Sequence, residues 1–111
     1  MEPIINELFN DLLDEFIEKE VKPIAKEVDE KEMFPLDNVR AMGKMGLLGI
    51  TVPKEYGGVG GDYPTYIRTV RRLASACATH AVVVSGHVSL CEGPILEFGT
   101  EEQKKKYLPK L

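Results

Sequence analysis

The run of residues 79–99, THAVVVSGHVSLCEGPILEFG, constrains the fold more than any other part of this sequence. It contains no Lys or Arg, and its first acidic residue is Glu92. Its Val and Leu side chains would point in nearly every direction around a helix, and a helix that is apolar nearly all round is normally buried. The β-branched residues would also suit a strand, but the length of the run and its lack of a sustained period of two favour a helix. We judge the run too short and too polar to span a membrane.

The first third of the chain predicts an amphipathic helix that packs against this central one. Apolar residues recur at alternating spacings of three and four over residues 3–31, with an acidic outer face between them. These apolar positions are Ile5, Leu8, Phe9, Leu12, Leu13, Phe16, Ile17, Val21, Ile24, Ala25 and Val28. Pro23 lies inside the pattern and has no amide hydrogen to donate, so we expect a kinked pair of helices there. Pro94 should interrupt the central helix near Glu92, and Gly99 should end it.

The middle of the chain predicts a short helix, an extended segment and a glycine-rich loop. A helix over residues 36–45 should stop at Gly46, a natural left-handed position. Residues 47–53 are predicted to be extended, because Pro53 biases the residue before it away from helix. Residues 57–61 contain four glycines, which indicates unusual backbone angles or the close approach of another surface. The loop matches neither a dinucleotide-binding nor a Walker pattern, so a tight connection between helices is the favoured interpretation.

Two further helices carry capping signals at their starts. Asp62 is a suitable N-cap for a helix over residues 63–78, and Pro64 lies near its first helical position. The segment from Thr100 to Gln103 is a capping box, in which the threonine caps the helix and the glutamine reaches back. The chain is therefore predicted to be a succession of helices joined by short connections.

Composition and charge narrow the classes of function. The 111 residues are 43% hydrophobic and 29% charged, which is typical of one soluble globular domain. A net charge of −4 gives no reason to expect a nucleic-acid partner. Cys77 and Cys91 form no CxxC motif and predict buried, reduced thiols in a cytoplasmic protein. No signal peptide is expected, because acidic and apolar residues alternate at the N-terminus.

Three residues of the central run could in principle hold a metal. His80, His87 and Cys91 lie near one stripe of a helix, and zinc accepts histidine and cysteine ligands. The stripe lacks the acid of an HExxH motif. An uncharged histidine hydrogen-bonded inside a helical core explains the pattern equally well, and no metal site is predicted.

Glu92 is the one carboxylate inside the apolar part of the run, and burial would raise its pKa. A catalytic base is therefore conceivable at this position. The favoured interpretation places Glu92 near a helix end, with its carboxylate in solvent or against a basic partner.

Several motifs in sequence order give the chain a family resemblance. It resembles the N-terminal helical domain of the acyl-CoA dehydrogenases over nearly all of its length, and it is most similar to short-chain, butyryl-type members. The motifs that carry the resemblance are KPIA at residues 22–25, MGLLGI at residues 45–50, VPKEYGGVG at residues 52–60, FGTEEQK at residues 98–104 and YLP at residues 107–109.

The resemblance implies a fold and an activity. The fold would be an all-α, up-and-down bundle of about five to six helices formed by residues 1–111, and the family's β-barrel middle domain and C-terminal four-helix bundle would lie outside this chain. The parent enzyme would use FAD to desaturate an acyl-CoA thioester, and electrons would pass to an electron-transferring flavoprotein. The family's catalytic glutamate and flavin-binding segments lie in those later domains, so we expect no catalytic, cofactor-binding or metal-binding residue in this chain. The chain alone should be inactive, and the parent should be a homo-oligomer.

The central helix has more apolar faces than the other elements can easily cover, so it should bury a face against something outside this chain or line a pocket. In the family the N-terminal domain supplies one wall of the acyl pocket. The resemblance therefore implies an acyl-pocket wall made of Val82, Val83, Gly86 and Leu90, and a loop at the pocket mouth made of Tyr56, Gly57 and Gly58. The alternatives are that these residues pack on neighbouring helices, or that the chain is a separate helical module that binds an acyl group or a partner protein. The chain's abrupt end after Pro109 favours a fragment of a longer protein.

Overall fold

The part of the chain that the structure describes contains five continuous helices, two of which each consist of two α-helical pieces joined by a π-helical segment. The computed structural model describes the backbone of residues 3–111 and the side chains of residues 6–111. The α-helical pieces are α1 Pro3–Phe16, α2 Lys22–Glu30, α3 Leu36–Lys44, α4 Tyr63–Ala76, α5 Ala78–Ser85, α6 Gly93–Phe98 and α7 Glu101–Tyr107. Two π-helical segments, Ile17–Val21 and Gly86–Glu92, join α1 to α2 and α5 to α6 without a break. Short 3₁₀ turns occupy Lys54–Tyr56 and Leu108–Lys110. Since no strand occurs in residues 3–111, the all-α prediction is confirmed.

The first long helix, formed by α1 and α2, supplies one side of the core. Leu13, Val21 and Val28 are fully or almost fully buried, as the spacing predicted. Leu8 and Leu12 are more than half exposed, so the buried face is narrower than the full apolar pattern. Ile5 lies outside the residues whose side chains are described. The core around this helix also contains Phe16, Ile17, Met42, Leu47, Ile50, Tyr66, Leu73, Cys77, Ala81, Val84 and Val88.

The helix is interrupted near Pro23, and the interruption takes the form of a π-helical turn. Proline has no amide hydrogen, so the regular ladder of α-helical bonds cannot run through it. The amide of Lys22 instead donates to the carbonyl of Ile17, five residues back. The carbonyl of Glu20 accepts a hydrogen bond of 2.8 Å from Asn38 Nδ2, a side chain of α3.

The connection after α3 differs from the prediction in one segment. Gly46 has a φ of +86° and ends the helix, as expected. The prediction of an extended segment over residues 47–53 is wrong, because this stretch is a series of hydrogen-bonded turns. The amide of Gly49 donates to Gly46, and the amide of Val52 donates to Gly49.

The glycine-rich loop packs tightly on those turns. All five amides of residues 57–61 donate to backbone carbonyls of residues 49–54. A Cβ atom at Gly58 would lie 2.1 Å from the carbonyl oxygen of Val52, so no larger residue fits there without movement. The glycines therefore let two stretches of backbone touch, which explains their number.

Both predicted caps form. Asp62 accepts a hydrogen bond of 2.9 Å from the amide of Thr65 at the start of α4. Thr100 and Gln103 exchange the two bonds of a capping box at the start of α7. A second, smaller apolar cluster connects this end of the chain to the turns, through Val52, Tyr56, Ile95, Leu96 and Leu108.

Candidate functional site

The central helix, formed by α5, the π-helical segment and α6, has one buried side and one open side. Ala81, Val84 and Val88 are buried in the main core. Val82 is 68% exposed and Leu90 is 79% exposed. The expectation that a helix apolar all round would be buried is therefore wrong for one side of it. A helix that completes a core while displaying large apolar side chains indicates a surface that another group covers.

The four residues expected to form an acyl-pocket wall do not share one environment. Val82 and Leu90 stand open on the exposed side, whereas Val83 is partly buried and packs against the main core. Gly86 lies between Val82 and Leu90 at spacings of four residues, which keeps the three near one side of the helix. A Cβ atom built at Gly86 meets nothing within 4 Å. The open side thus carries two exposed apolar residues with a small gap between them.

A π-helical segment lies in the middle of this site. Pro94 cannot donate to an α-helical partner, and the amide of Gly93 donates to Val88, five residues back. The hydroxyl of Tyr66, on α4, donates to the carbonyl of Ser85 at 3.4 Å and forms a bond of 2.7 Å with Ser89 Oγ. Segments of this kind occur frequently at functional sites. The sequence signalled an interruption at Pro94 but not its extent.

A groove runs beside the π-helical segment, between the start of α4 and α6. It has a volume of about 590 Å³, and its walls include Tyr63, Ser89, Pro94 and Phe98. Tyr63 and Phe98 are both largely exposed. Two exposed aromatic rings therefore lie at this groove.

Glu92 is buried, which corrects the expectation that its carboxylate reaches solvent. Its side chain is 1% exposed, and its Oε1 atom has no hydrogen-bond partner. Its Oε2 atom lies 3.6 Å from His87 Nε2, itself a buried atom without a hydrogen bond. Burial raises the pKa of Glu92 to about 7 and lowers the pKa of His87. The five-residue spacing of the pair brings the two side chains together on a π-helical turn, and neither residue type signals that pairing in the sequence.

The residues considered as metal ligands are directed to different partners. His80 is fully buried, and its Nε2 atom lies 3.1 Å from Asn38 Nδ2. His87 faces Glu92, and Cys91 is a partly buried free thiol. Across residues 3–111, no group of three or more His, Cys, Asp or Glu side chains could hold a metal ion.

The loop expected at the pocket mouth is anchored to the last helix. The hydroxyl of Tyr56 donates to both carboxylate oxygens of Glu101, at 2.9 and 2.8 Å. This hydrogen bond raises the pKa of Tyr56 to about 12. Gly57 lies against Pro109, with 3.6 Å between an added Cβ and the proline Cα. A role at a pocket mouth stays a prediction.

The central helix is also long enough to be considered for a membrane. At 21 residues, Ala78–Phe98 passes by length and composition as a helix that could cross a bilayer, so the run is not too short, contrary to the sequence argument. The core helix of a soluble protein passes the same test, which makes the observation weak evidence. The absence of a membrane span stays a prediction.

Comparison with known proteins gives consistent matches. The model of the family "Acyl-CoA dehydrogenase, N-terminal domain" matches residues 6–111. The short-chain specific acyl-CoA dehydrogenase of Clostridium acetobutylicum is 54% identical over 102 residues, which are 92% of this chain and 27% of that protein. The butyryl-CoA dehydrogenase of Megasphaera elsdenii superimposes with a TM-score of 0.88 at 36% identity, over 98% of this chain and 29% of that one. A chain in the solved structure described as "Electron transferring flavoprotein of Acidaminococcus fermentans" has a TM-score of 0.88 at 39% identity, over 94% of this chain and 27% of that one.

The chain thus spans little more than a quarter of the length of these relatives. The activities of these whole relatives are therefore not assigned to the 111 residues by the similarity alone.

Proposed function

The chain belongs to the acyl-CoA dehydrogenase family, as its N-terminal domain, and from this premise we propose that the whole protein is an FAD-dependent enzyme that desaturates short-chain acyl-CoA thioesters. The identity of 54% to a short-chain specific relative supports the substrate class. The structural similarity to the M. elsdenii butyryl-CoA dehydrogenase supports the same substrate class. Residues 1–111 would form one domain, with the flavin-binding and catalytic parts elsewhere in the polypeptide.

The residues of this chain do not fit a flavin by themselves. The glycine-rich loop is the natural candidate for a phosphate cradle, because such cradles use free backbone amides. All five amides of residues 57–61 already donate to carbonyls of residues 49–54. No step of the reaction is therefore assigned to a flavin held by this chain, and FAD would be bound by residues outside it.

The contribution of this domain would be one wall of the acyl pocket. The open side of the central helix carries this proposal: Val82 and Leu90 are exposed, and a gap is present at Gly86. Covering one such side chain removes apolar surface from water and contributes about 1.5–3 kcal/mol. An acyl chain lying across Gly86 would cover both neighbours, whereas Val83 would support the wall from the core side.

The partners follow from the same relation. The acyl-CoA substrate would meet the open side, and an electron-transferring flavoprotein would accept the electrons, in keeping with the A. fermentans structure. The enzyme would be a cytoplasmic homo-oligomer.

The proposed activity is tested on the native polypeptide, purified from its source without truncation. Its intact mass and visible absorbance are recorded, and butyryl-CoA is then offered with ferrocenium as electron acceptor. A longer polypeptide with bound flavin that converts butyryl-CoA to a product two hydrogens lighter supports the proposal. A colourless protein of 111 residues that leaves butyryl-CoA unchanged would overturn it. Such a result would favour a separate helical module that binds an acyl group or a partner protein.

A further inference from the structure

A second groove lies between the first long helix and α4, and none of the described residues that line it belongs to the central helix. Its volume is about 720 Å³. The charged side chains that line it are four basic and two acidic ones, namely Lys22, Arg68, Arg71, Arg72, Asp14 and Glu18. The groove is therefore locally positive in a chain whose net charge is −4.

The two acidic side chains each neutralise one of the basic ones. Arg72 Nη1 lies 2.7 Å from Asp14 Oδ1. Lys22 forms an ion pair with Glu18, one helical turn before it. These two pairs link neighbouring positions of the groove, and the positive charge that remains belongs to the other two arginines.

Arg68 and Arg71 carry charge that no described side chain compensates. Arg68 Nη2 donates to Asn6 Oδ1 at 3.4 Å, which is a long hydrogen bond to a neutral group. Arg71 is exposed and has no ion-pair or hydrogen-bond partner among the described side chains. Each guanidinium has five N–H donors, so most of the donors of this pair are available to a ligand.

A serine lies on the same side of α4 as these arginines. Arg68, Arg71 and Ser75 follow one another at spacings of three and four residues, and residues so spaced are neighbours on a helix surface. Ser75 is exposed and lines the same groove. Its hydroxyl can donate one further hydrogen bond. One stretch of α4 thus presents two guanidinium groups and a hydroxyl to the groove.

This set of donors suits a phosphate group better than an acidic peptide. A guanidinium binds two oxygens at once, and a phosphate has enough oxygens for two guanidiniums, whereas one guanidinium already satisfies a carboxylate. The opposite wall of the groove contains Asp14 and Glu18. An acidic peptide that lay along the groove would approach these like charges, which is unfavourable. A single phosphate group on the α4 wall needs no such contact.

We propose that this groove is a binding site for a phosphate group, held by Arg68 and Arg71 and assisted by Ser75. The ligand is inorganic phosphate or a small phosphate ester, since both present the same group. The inference goes beyond the proposed function and does not depend on the acyl pocket. Because the arginines are accessible to water, salt screens the interaction, and binding should weaken as ionic strength rises.

Equilibrium dialysis of the full-length protein against radiolabelled phosphate, at constant ionic strength, tests the site. We expect Arg71→Gln to weaken the binding of one phosphate per chain about tenfold or more, because it removes one of two charged donors. Arg71 is exposed, so this variant should fold. Arg40→Gln, at an exposed position of α3 outside the groove, removes the same charge and is the matched control. It should weaken binding by less than about twofold.

Competition distinguishes the two sources of the phosphate group. If AMP displaces the label at a lower concentration than unlabelled phosphate does, the ligand is a phosphate ester. If AMP requires a higher concentration, the ligand is the free anion. Either result supports a phosphate site, provided that Arg71→Gln abolishes the competition.

Three results would overturn the inference. The first is phosphate binding that Arg71→Gln leaves unchanged, and the second is an equal loss in Arg40→Gln, which would indicate general attraction to positive charge. The third is a hexaglutamate peptide that displaces the label at a lower concentration than phosphate does, because the groove would then be a docking surface for an acidic protein segment. None of these results bears on butyryl-CoA turnover, so the inference and the proposed function can fail independently.

Discussion

The two long helices of this domain are interrupted before a proline in the same way, but one has a charged outer surface and the other an apolar one. In each, a π-helical segment ends two residues before a proline, and the residue preceding that proline donates to a carbonyl five residues back. Asn38 then binds a carbonyl of the first helix, and Tyr66 binds one of the central helix.

The outer surfaces of the two helices differ in polarity. The first helix is covered by charged pairs at spacings of four, among them Glu15–Lys19 at 2.7 Å and Glu27–Lys31 at 2.9 Å. The central helix displays Val82 and Leu90 and holds its one ion-pair contact in the described chain, His87–Glu92, largely out of solvent. The charged outer surface of the first helix is suited to contact with water. The apolar outer surface of the central helix instead requires another group to cover it.

The largest expected change in the free energy of unfolding distinguishes the buried side of the first helix from the open side of the central helix. Leu13→Ala, in the first helix, should lower the free energy of unfolding by about 2–5 kcal/mol, because Leu13 is fully buried and its loss leaves a cavity. Leu90→Ala should change it by less than about 0.5 kcal/mol if that side is uncovered by the protein's own residues. Urea denaturation of both variants beside the wild type measures the difference. A large loss in Leu90→Ala would mean that another part of the protein, and not a ligand, covers that residue.

The next largest effect is the dependence of the free energy of unfolding on pH. Because burial raises the pKa of Glu92 to about 7, the folded state holds this proton more tightly than the unfolded state. The stabilising contribution of the buried, protonated Glu92 is complete below the ordinary glutamate pKa and is lost as pH rises through about 7, with an expected loss of about 3 kcal/mol. The lowered pKa values of His80 and His87 act in the opposite direction, lowering stability as pH falls below the ordinary histidine value.

Glu92→Gln isolates the glutamate because it leaves both histidines in place. Thermal unfolding of this variant and the wild type from pH 5 to pH 8 should give curves that diverge, with the wild type losing stability relative to the variant as pH rises. Parallel curves would show that Glu92 is not the source of the slope.

The two side chains that bind the helix carbonyls should differ in importance. Asn38→Ala removes a partly buried hydrogen bond to the carbonyl of Glu20 and a buried contact with His80 Nε2, and should cost about 1–3 kcal/mol. Tyr66→Phe keeps the ring and removes bonds to Ser85 and Ser89, at an expected cost of about 1 kcal/mol. Chemical denaturation ranks the two, and an equal or reversed order would contradict the view that the buried contact with His80 makes Asn38 the more important of the two side chains.

The smallest effect is expected on the charged surface. Glu15→Gln removes an exposed ion pair with Lys19, so the free energy of unfolding should fall only slightly at low salt and by less at high salt. Denaturation at low and high salt should show the difference shrinking. A loss as large as that caused by Tyr66→Phe would mean that this surface is not simply solvated.

The sequence predicted the features that depend on neighbouring residues. Gly46 as a helix stop, Asp62 as an N-cap and the capping box at Thr100 are settled within one helical turn, and all three form. The all-α fold class was also predicted correctly, because the spacing of apolar residues defines each helix separately.

Features that depend on distant partners were missed. Residues 47–53 form turns because the glycine-rich loop bonds to them, and no local pattern encodes that contact. The burial of Glu92 depends on a π-helical turn that brings it to His87, whereas the sequence shows only an acid near a proline. The excess of apolar faces on the central helix was visible, but only the packing shows that Val83 faces the core and Leu90 does not.

The most direct test of the acyl-pocket wall is the chain-length profile of Gly86→Leu in the holoenzyme. A Cβ atom at Gly86 meets nothing within 4 Å in this domain, so folding and flavin absorbance should be retained. If an acyl chain lies across Gly86, the variant should lower kcat/KM for butyryl-CoA about tenfold or more relative to propionyl-CoA. Ala78→Leu, at the exposed start of the same helix, is the matched control and should change neither. An unchanged profile in Gly86→Leu would contradict the assignment of this side of the helix to the acyl chain.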